Sequence, residues 1–285
     1  MNYKKINLIV GWLTFAVAAI VYLMTIEPTT SFWDCGEFIT TAFKLEVGHP
    51  PGAPFFMLLG RFFTLFGGPE DAGMLMNVLS ALASAFTILF LYWTITHLTK
   101  RIVSNETSPT KGEAIVIMGS GLVGALAYAF SDTFWFSAVE AEVYATSSLF
   151  TAIVFWAILK WENVANQPHA NRWLIFICYL FGLSVGVHLL NLLAIPAIAF
   201  IYYYKKYPIT QKGIFATLVI SGGIILGIMY GVIPGIVKIA AIFERIFVNG
   251  IGAPLNTGFF IYLVLLIGLI TYGIYYTHKK KKVLL

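Results

Sequence analysis

The chain has 285 residues, of which 59% are hydrophobic and only 11% are charged, and its mean hydropathy is +0.84. Roughly a quarter of the residues of a soluble protein are charged, so this composition excludes a water-soluble globular fold. The formal net charge of +5 comes from lysines and arginines that flank the apolar segments. This placement is typical of membrane anchoring and does not indicate nucleic-acid binding.

Long uncharged segments recur along the chain, at residues 6–26, 72–98, 114–131, 143–159, 173–204, 213–237 and 246–277. About 20 apolar residues cross the hydrocarbon core as a helix. Segment 173–204 is too long for one crossing and short for two. We divide it near residues 186–191, because a single crossing would place the later basic connections outside. The sequence therefore predicts an all-α polytopic membrane helix bundle of about eight spans, with residues 1–285 forming one integral membrane domain.

Most basic residues fall on alternate connections, namely Lys4, Lys5, Lys100, Arg101, Lys111, Lys160, Arg172, Lys205, Lys206, Lys212 and the lysines of 279–282. Four cations remain for the opposite side: Lys44, Arg61, Lys238 and Arg245. By the positive-inside rule, this asymmetry predicts that both termini are cytoplasmic.

The first outer loop, residues 27–71, contains two apolar stretches, "EFITTAFKLEV" (37–47) and "FFMLLGRFFTLFG" (55–67). Both have helical periodicity but are too short to span a bilayer. We predict two helices lying along the outer interface, separated at Pro50-Pro51.

Two carboxylates stand directly after the first span, in "SFWDCGEF" (31–38). Asp34 and Glu37 share a helical face. One interpretation is helix capping by Asp34, with Glu37 at the third helical position. The other is functional: a partly desolvated carboxylate has a raised pKa that suits a general base. After the first predicted helix of the loop, "HPPGAP" (49–54) combines His49 with a rigid turn. A turn histidine with no function is the commoner case.

The connection "FWFSAVEAEVYATSS" (134–148) follows the third span. On a helix, Glu140 and Glu142 point to roughly opposite sides, so at most one is expected to face a shared site. Glu140 and Tyr144 would share a face. A carboxylate at the membrane edge is a functional candidate, although one glutamate can simply mark the start of the fourth span.

In "GVHLLNLLAIP" (186–196), His188 and Asn191 lie on one helical face. Two interpretations of these residues are open: they belong to a site at the outer surface, or they form hydrogen bonds between membrane helices. Arg61, Lys238 and Arg245 are outer cations suited to a phosphate. A Gly-rich phosphate loop, H-E-x-x-H and G-x-S-x-G are absent from the sequence, and the spacing of Asp34, Glu37 and His49 is not diagnostic of a metal site.

The motifs "WDCGEF", "GHPPGAP", "VEAEVYA" and "GVHLLNLLAIP" resemble, in this order and spacing, the bacterial relatives of the transmembrane protein O-mannosyltransferases. These belong to the GT-C superfamily of integral membrane glycosyltransferases. The resemblance covers most of residues 1–200. It implies a polyprenyl-phosphate sugar as donor, with a mannose-like sugar, and a protein or glycan hydroxyl as acceptor. It also implies a bacterial inner-membrane location with the active site facing the periplasm.

In this resemblance Asp34 is the general base, Glu37 orients Asp34 or the acceptor, and His49 is the motif histidine. Arg61 matches no motif and is suggested only by position as a phosphate partner. Glu140, Glu142, Tyr144, His188 and Asn191 are expected to contact substrate. Neither a cofactor nor a metal is expected. Family members commonly continue into further spans and a soluble C-terminal domain, so acceptor recognition is expected elsewhere unless the chain is a minimal or truncated form.

Two rival functions remain open from the sequence. A transporter places its charges near the bilayer midplane and often has repeated halves, whereas these charges cluster near one surface and no repeat is visible. A non-catalytic membrane assembly protein is the second rival, for which changes at Asp34 would alter only stability.

Overall fold

A computed structural model describes residues 2–104 and 108–279. Within these ranges the regular structure is entirely helical, which confirms the predicted all-α bundle. The α-helices are α1 (Tyr3–Thr25), α2 (Cys35–Lys44), α3 (Pro54–Thr64), α4 (Ala72–Val103), α5 (Lys111–Ala129), α6 (Asp132–Ala138), α7 (Val143–Val164), α8 (Arg172–Val185), α9 (Ile195–Lys206), α10 (Gln211–Leu226), α11 (Ile233–Glu244) and α12 (Thr257–Lys279).

Six helical segments in the described part of the chain are long and apolar enough to cross a membrane: Tyr3–Thr25, Pro69–Val103, Lys111–Ala129, Val143–Val164, Gln211–Gly250 and Thr257–Thr277. The predicted division of 173–204 is confirmed, because α8 and α9 are separated by a 3-10 segment, Leu189–Ala194. Both are shorter than the six, which is why the structure has fewer candidate spans than the predicted eight.

The predicted end of the seventh span at residue 237 is wrong. α10 and α11 are joined by a π-helical turn, Gly227–Val232, and a second one continues the helix to Gly250. Lys238 and Arg245 therefore lie within a continuous helix rather than on a connection. Of the closing basic cluster, Lys279 ends α12, and residues 280–282 lie outside the described residues.

The chain divides into two compact units, one of residues 1–164 and 173–194 and the other of residues 165–172 and 195–285. In the first unit α4 packs against α1, α5 and α7. Small buried residues line these contacts, among them Ala18, Ala81 and Ala125, and they let helix backbones approach closely. The Tyr22 hydroxyl adds a buried hydrogen bond to the Ala129 carbonyl oxygen, at 2.8 Å.

In the second unit α9 packs against α10 and α11 packs against α12. The Glu244 carboxylate accepts hydrogen bonds from the backbone N–H groups of Asn256 (2.5 Å) and Phe259 (2.9 Å), and it thereby holds the turn before α12. Large apolar side chains of these helices, such as Phe215 and Leu265, are mostly exposed. Such a surface is suited to contact with lipid.

The helices predicted in the first outer loop are present as α2 and α3. They pack against each other and against α4. The start of the loop is fixed by the Asn77 side-chain amide, which donates to the carbonyl oxygens of Glu27 (2.5 Å) and Thr29 (3.0 Å). Farther along the loop, α3 begins at Pro54, which has no N–H group. The next N–H, that of Phe55, donates to the Gly186 carbonyl oxygen at 2.7 Å.

Gly186 permits this last contact because it lacks a side chain. A Cβ atom there would lie 2.8 Å from the Cβ of Phe55. The close approach brings the break after α8 to the amino end of α3. It thereby joins the motif "GHPPGAP" to the motif "GVHLLNLLAIP".

Candidate active site

Asp34 stands at the N-cap position of α2, with Glu37 as the third residue of the helix. The predicted capping positions are therefore correct, but the Asp34 side chain makes no capping hydrogen bond. Its side chain is 58% exposed. Capping does not account for this aspartate, and its oxygens are accessible to a substrate.

Glu37 links α2 to the turn that follows it. Its Oε1 accepts a hydrogen bond from the backbone N–H of His49 at 2.5 Å, and its Oε2 lies 3.0 Å from His49 Nδ1. The other imidazole nitrogen, Nε2, lies 4.0 Å from Asp34 Oδ2. His49 thus stands between the two carboxylates, and the turn closes with a 2.8 Å hydrogen bond from Gly52 N–H to the His49 carbonyl oxygen.

Gly48 is the position that lets the turn approach Glu37. A Cβ atom on residue 48 would lie 2.9 Å from Glu37 Oε1. Any larger residue here has to displace the carboxylate that holds His49.

The hydrogen bonds between Glu37 and His49 decide their proton affinities. The backbone and side-chain donors of His49 hold the pKa of Glu37 below its ordinary value of 4.5. The same side-chain contact raises the pKa of His49 above 6.5, with a further contribution from the negative charge of Glu37. The expectation that the carboxylates here have raised pKa values is therefore wrong for Glu37, because the donors outweigh desolvation.

These shifts predict a pH window for the turn. His49 has a raised pKa in the folded protein, so its contribution to stability is complete below pH 6.5 and is lost as the pH rises through the folded pKa. Glu37 has a lowered pKa, so its contribution is present above pH 4.5 and is lost as the pH falls through the folded pKa.

We expect an NMR titration of the His49 ring to have a midpoint above 6.5, and Glu37→Gln to move it back down. An unchanged midpoint in Glu37→Gln would contradict the assigned contact.

Glu140 and Glu142 both point toward the start of α2, so the expectation that at most one faces a shared site is wrong. Residues between α6 and α7 are not helical, and α7 begins only at Val143. Glu140 Oε2 accepts a 2.6 Å hydrogen bond from Ser31 Oγ. Glu142 Oε1 lies 3.7 Å from Cys35 Sγ.

Both glutamates are buried, with 5% of Glu140 and 7% of Glu142 exposed. Burial raises the pKa of each carboxyl, and the neighbouring Glu140 charge raises that of Glu142 further. Burial and the charge of Glu142 raise the pKa of the Cys35 thiol to about 12. Ser31 and Cys35, which the sequence did not mark as site residues, are therefore the anchors of the segment that carries Asp34.

Tyr144 and His188 meet beside this cluster, with ring centroids 5.3 Å apart. Tyr144 is about half exposed, and burial lowers the pKa of His188. His188 Nδ1 accepts a 3.1 Å hydrogen bond from the Leu190 backbone N–H. The pair brings the third and fourth sequence motifs together, as the predicted site requires.

Asn191 is completely buried. Its amide group donates to Ser184 Oγ at 2.9 Å, and its Oδ1 accepts from Thr151 Oγ1 at 3.0 Å. These bonds give Asn191 a structural role that ties α7 to α8, while contact with a substrate stays a prediction.

We expect Asn191→Leu to lower the free energy of unfolding by about 1–2 kcal/mol, because two interhelical hydrogen bonds are lost. Unfolding in detergent, followed by circular dichroism, measures this change. An unchanged stability together with a weaker affinity for donor would instead support direct contact with substrate.

Arg61 lies on α3 and its guanidinium donates to the Phe43 carbonyl oxygen at 2.7 Å, with the Phe43 ring 5.2 Å away. It therefore binds the carboxyl end of α2, whose exposed carbonyl groups attract a cation. Its role as a phosphate partner stays a prediction.

Two clefts lie in the first unit, with volumes of about 380 and 710 Å³. Tyr128 and Ser148 line both, which makes the clefts neighbours. Tyr144 lines the smaller one, while apolar side chains such as Leu91, Phe155 and Leu193 line the larger one.

Among the described residues, Asp34, Glu37 and His49 also form a group that could hold a metal ion, since one ligand atom of each lies within 4.8 Å of the others. However, the carboxylate of Glu37 and the ring of His49 already satisfy each other.

Comparison with known proteins gives a family match to the protein O-mannosyl-transferase TMEM260 N-terminal domain over residues 34–211. This range begins at Asp34 and includes Glu37, His49, Arg61, Glu140, Glu142, Tyr144, His188 and Asn191. Protein O-mannosyl-transferase tmem260 of Dictyostelium discoideum is 26% identical over 205 residues, covering 68% of this chain and 23% of that protein. Protein O-mannosyl-transferase TMEM260 of Mus musculus is 26% identical over 216 residues, covering 74% of this chain and 28% of that protein. The match spans about a quarter of the length of these relatives. No solved structure gives a significant match.

Proposed function

Because this chain belongs to the protein O-mannosyl-transferase TMEM260 N-terminal domain family, we propose that it is a membrane glycosyltransferase. The proposed reaction moves a mannose-like sugar from a polyprenyl-phosphate donor to a hydroxyl group, preferably of a protein serine or threonine. One observation carries the proposal. The Asp34 carboxylate is exposed, makes no capping hydrogen bond and lies beside the paired Glu37 and His49.

In the proposed step the Asp34 carboxylate takes the proton from the acceptor hydroxyl. The acceptor oxygen forms a bond to the anomeric carbon of the sugar while the bond from that carbon to the phosphate oxygen breaks. The electron pair of the broken bond leaves with the polyprenyl phosphate. A base placed at the acceptor oxygen accelerates such a step by about 10²–10⁴-fold.

Glu37 and His49 act as positioning residues in this proposal. Glu37 fixes the His49 turn through two contacts, and His49 Nε2 faces Asp34 at 4.0 Å.

The donor's tail accounts for the membrane setting. An isoprenoid chain is apolar, and the larger cleft, lined by Leu91, Phe155 and Leu193, has apolar walls of matching chemistry. We propose that the chain is an integral protein of a bacterial inner membrane, with cytoplasmic termini and the Asp34 site on the periplasmic side. We propose no metal or cofactor, because the phosphate leaving group can be stabilised by cationic side chains such as Arg61.

A transfer assay tests this proposal. The protein in detergent is given radiolabelled polyprenyl-phosphate mannose, or the corresponding glucose donor, together with a serine- and threonine-rich peptide. We expect label on the peptide from the mannose donor. Absence of label with either donor, combined with solute uptake by the same protein in sealed vesicles, would overturn the proposal in favour of a transporter.

A further inference from the structure

Residues 31–35 form a short turn whose middle is exposed and whose two ends are anchored by the buried glutamates. Ser31 Oγ donates to Glu140 at 2.6 Å, and Cys35 Sγ lies 3.7 Å from Glu142. Between these anchors, 85% of Phe32 and 88% of Trp33 are exposed. Two buried carboxylates thus hold a turn that projects two aromatic rings and Asp34 outward.

Trp33 is held in an unfavourable backbone conformation. Its φ angle is +62°, in the left-handed region, which bulky residues rarely adopt. Glycine adopts this region freely, so local folding alone favours glycine at this position. Strain of this kind persists where surrounding contacts impose it, and it accompanies binding sites more often than plain loops.

The charges around Trp33 indicate what its ring can bind. Asp34 and Glu37 lie next to it in sequence, and Glu140 and Glu142 lie under the turn. An uncharged sugar has hydroxyl groups for the carboxylates and His49, and it has a face of C–H bonds that complements the negative face of an aromatic ring.

We propose that Trp33 is a sugar-binding residue, on which the apolar face of the transferred hexose stacks while its anomeric carbon lies beside Asp34. This inference rests on the proposed function and adds a specific contact to it. Trp33 has no part in the proton transfer, so its loss weakens binding of the donor more than it slows the chemical step.

The choice of variants separates a binding role from a structural one. Trp33→Gly removes the ring and relieves the positive φ, so we expect it to unfold at the same temperature as the wild type or a higher one. Trp33→Phe and Trp33→Tyr keep an aromatic ring. Phe66→Ala is the matched control, because Phe66 is also largely exposed and lies at the other end of the outer loop.

The probe is a mannosyl phosphate with a short isoprenoid chain. We expect Trp33→Gly to raise its KM by about tenfold, with kcat within about threefold of wild type, because a ring contact of this kind is worth roughly one order of magnitude in affinity. The KM values of Trp33→Phe, Trp33→Tyr and Phe66→Ala should stay within about threefold of the wild-type value. An unchanged KM in Trp33→Gly would overturn the inference. An equal increase of KM in Trp33→Phe would overturn it as well.

A fluorescence measurement keeps this result independent of turnover. Binding of the probe should change the tryptophan emission of the wild type and not that of Trp33→Phe. A Trp33 signal that responds to the probe without sugar transfer would sustain the inference and refute the proposed function. A signal quenched by brominated lipid but not altered by the probe would show that Trp33 inserts into the bilayer surface, and the inference would fail.

Discussion

Asp34→Asn is expected to lower the rate of sugar transfer by about 10²–10⁴-fold, because asparagine cannot accept the proton of the acceptor hydroxyl. The substitution preserves the size of the side chain, and Asp34 makes no side-chain capping bond that it could break. We therefore expect the fold to be unaffected and the donor to bind with little change in affinity. Initial rates with radiolabelled donor and peptide acceptor, measured beside thermal unfolding, provide the test.

Asp132→Asn is the matched control for this prediction. Asp132 is an exposed aspartate at the beginning of α6, on a connection close in sequence to Glu140 and Glu142. Its replacement should leave the rate within about twofold of wild type, since an exposed site with no special contact is usually tolerant. A fully active Asp34→Asn protein would refute the general-base role, and a lower unfolding temperature of that variant alone would favour the non-catalytic assembly function.

Glu37→Ala is expected to reduce kcat by about 10²-fold, because misplacement of catalytic groups by about 1 Å has effects of this size. The variant loses the acceptor for the His49 backbone N–H and the partner of the His49 ring. The turn from Gly48 to Gly52 then keeps its own hydrogen bond and the contact between the Phe38 and His49 rings. It loses both contacts through which Glu37 fixes His49, so His49 no longer faces Asp34 in a defined position.

Glu46→Ala is the control for Glu37→Ala, because Glu46 is an exposed glutamate in the same loop. Glu37→Gln should lie between the two: its side-chain oxygen still accepts from the backbone N–H of His49, but it carries no charge to hold the imidazolium. Transfer rates of the three variants at pH 6 and pH 8 measure the effect of the lost hydrogen bond and that of the lost charge. Equal kcat for Glu37→Ala and Glu46→Ala would contradict a positioning role for Glu37.

Much of the fold is predictable from hydropathy, and the exceptions have local causes. The apolar segments mark α1, α4, α5 and α7 because a membrane helix requires a long uncharged stretch. The end of the segment at residue 237 is misplaced because Lys238 and Arg245 are charged, yet both lie within a continuous helix that ends at Gly250. Charge alone does not end a helix, since long basic side chains can reach the interface from a helical position.

The site is predictable where short-range spacing decides it. The separation of Asp34 and Glu37 by three residues places both in the first turn of α2, and the proline-rich turn returns His49 to them. Spacing fails at Glu140 and Glu142, because helical spacing applies only within a helix and the chain bends between Ala138 and Val143. The left-handed conformation of Trp33 leaves no mark in the sequence, since tryptophan gives no indication of a positive φ.

The anomeric configuration of the product tests the central claim most directly. A single displacement assisted by one base at Asp34 inverts the configuration at the anomeric carbon, whereas a covalent sugar–enzyme intermediate retains it. The measurement is an NMR spectrum of the glycopeptide formed by the purified protein from a donor of known configuration. We predict an O-linked sugar of inverted configuration, formed together with one equivalent of polyprenyl phosphate. A product of retained configuration would contradict the mechanism, and the absence of any glycopeptide would contradict the proposed function itself.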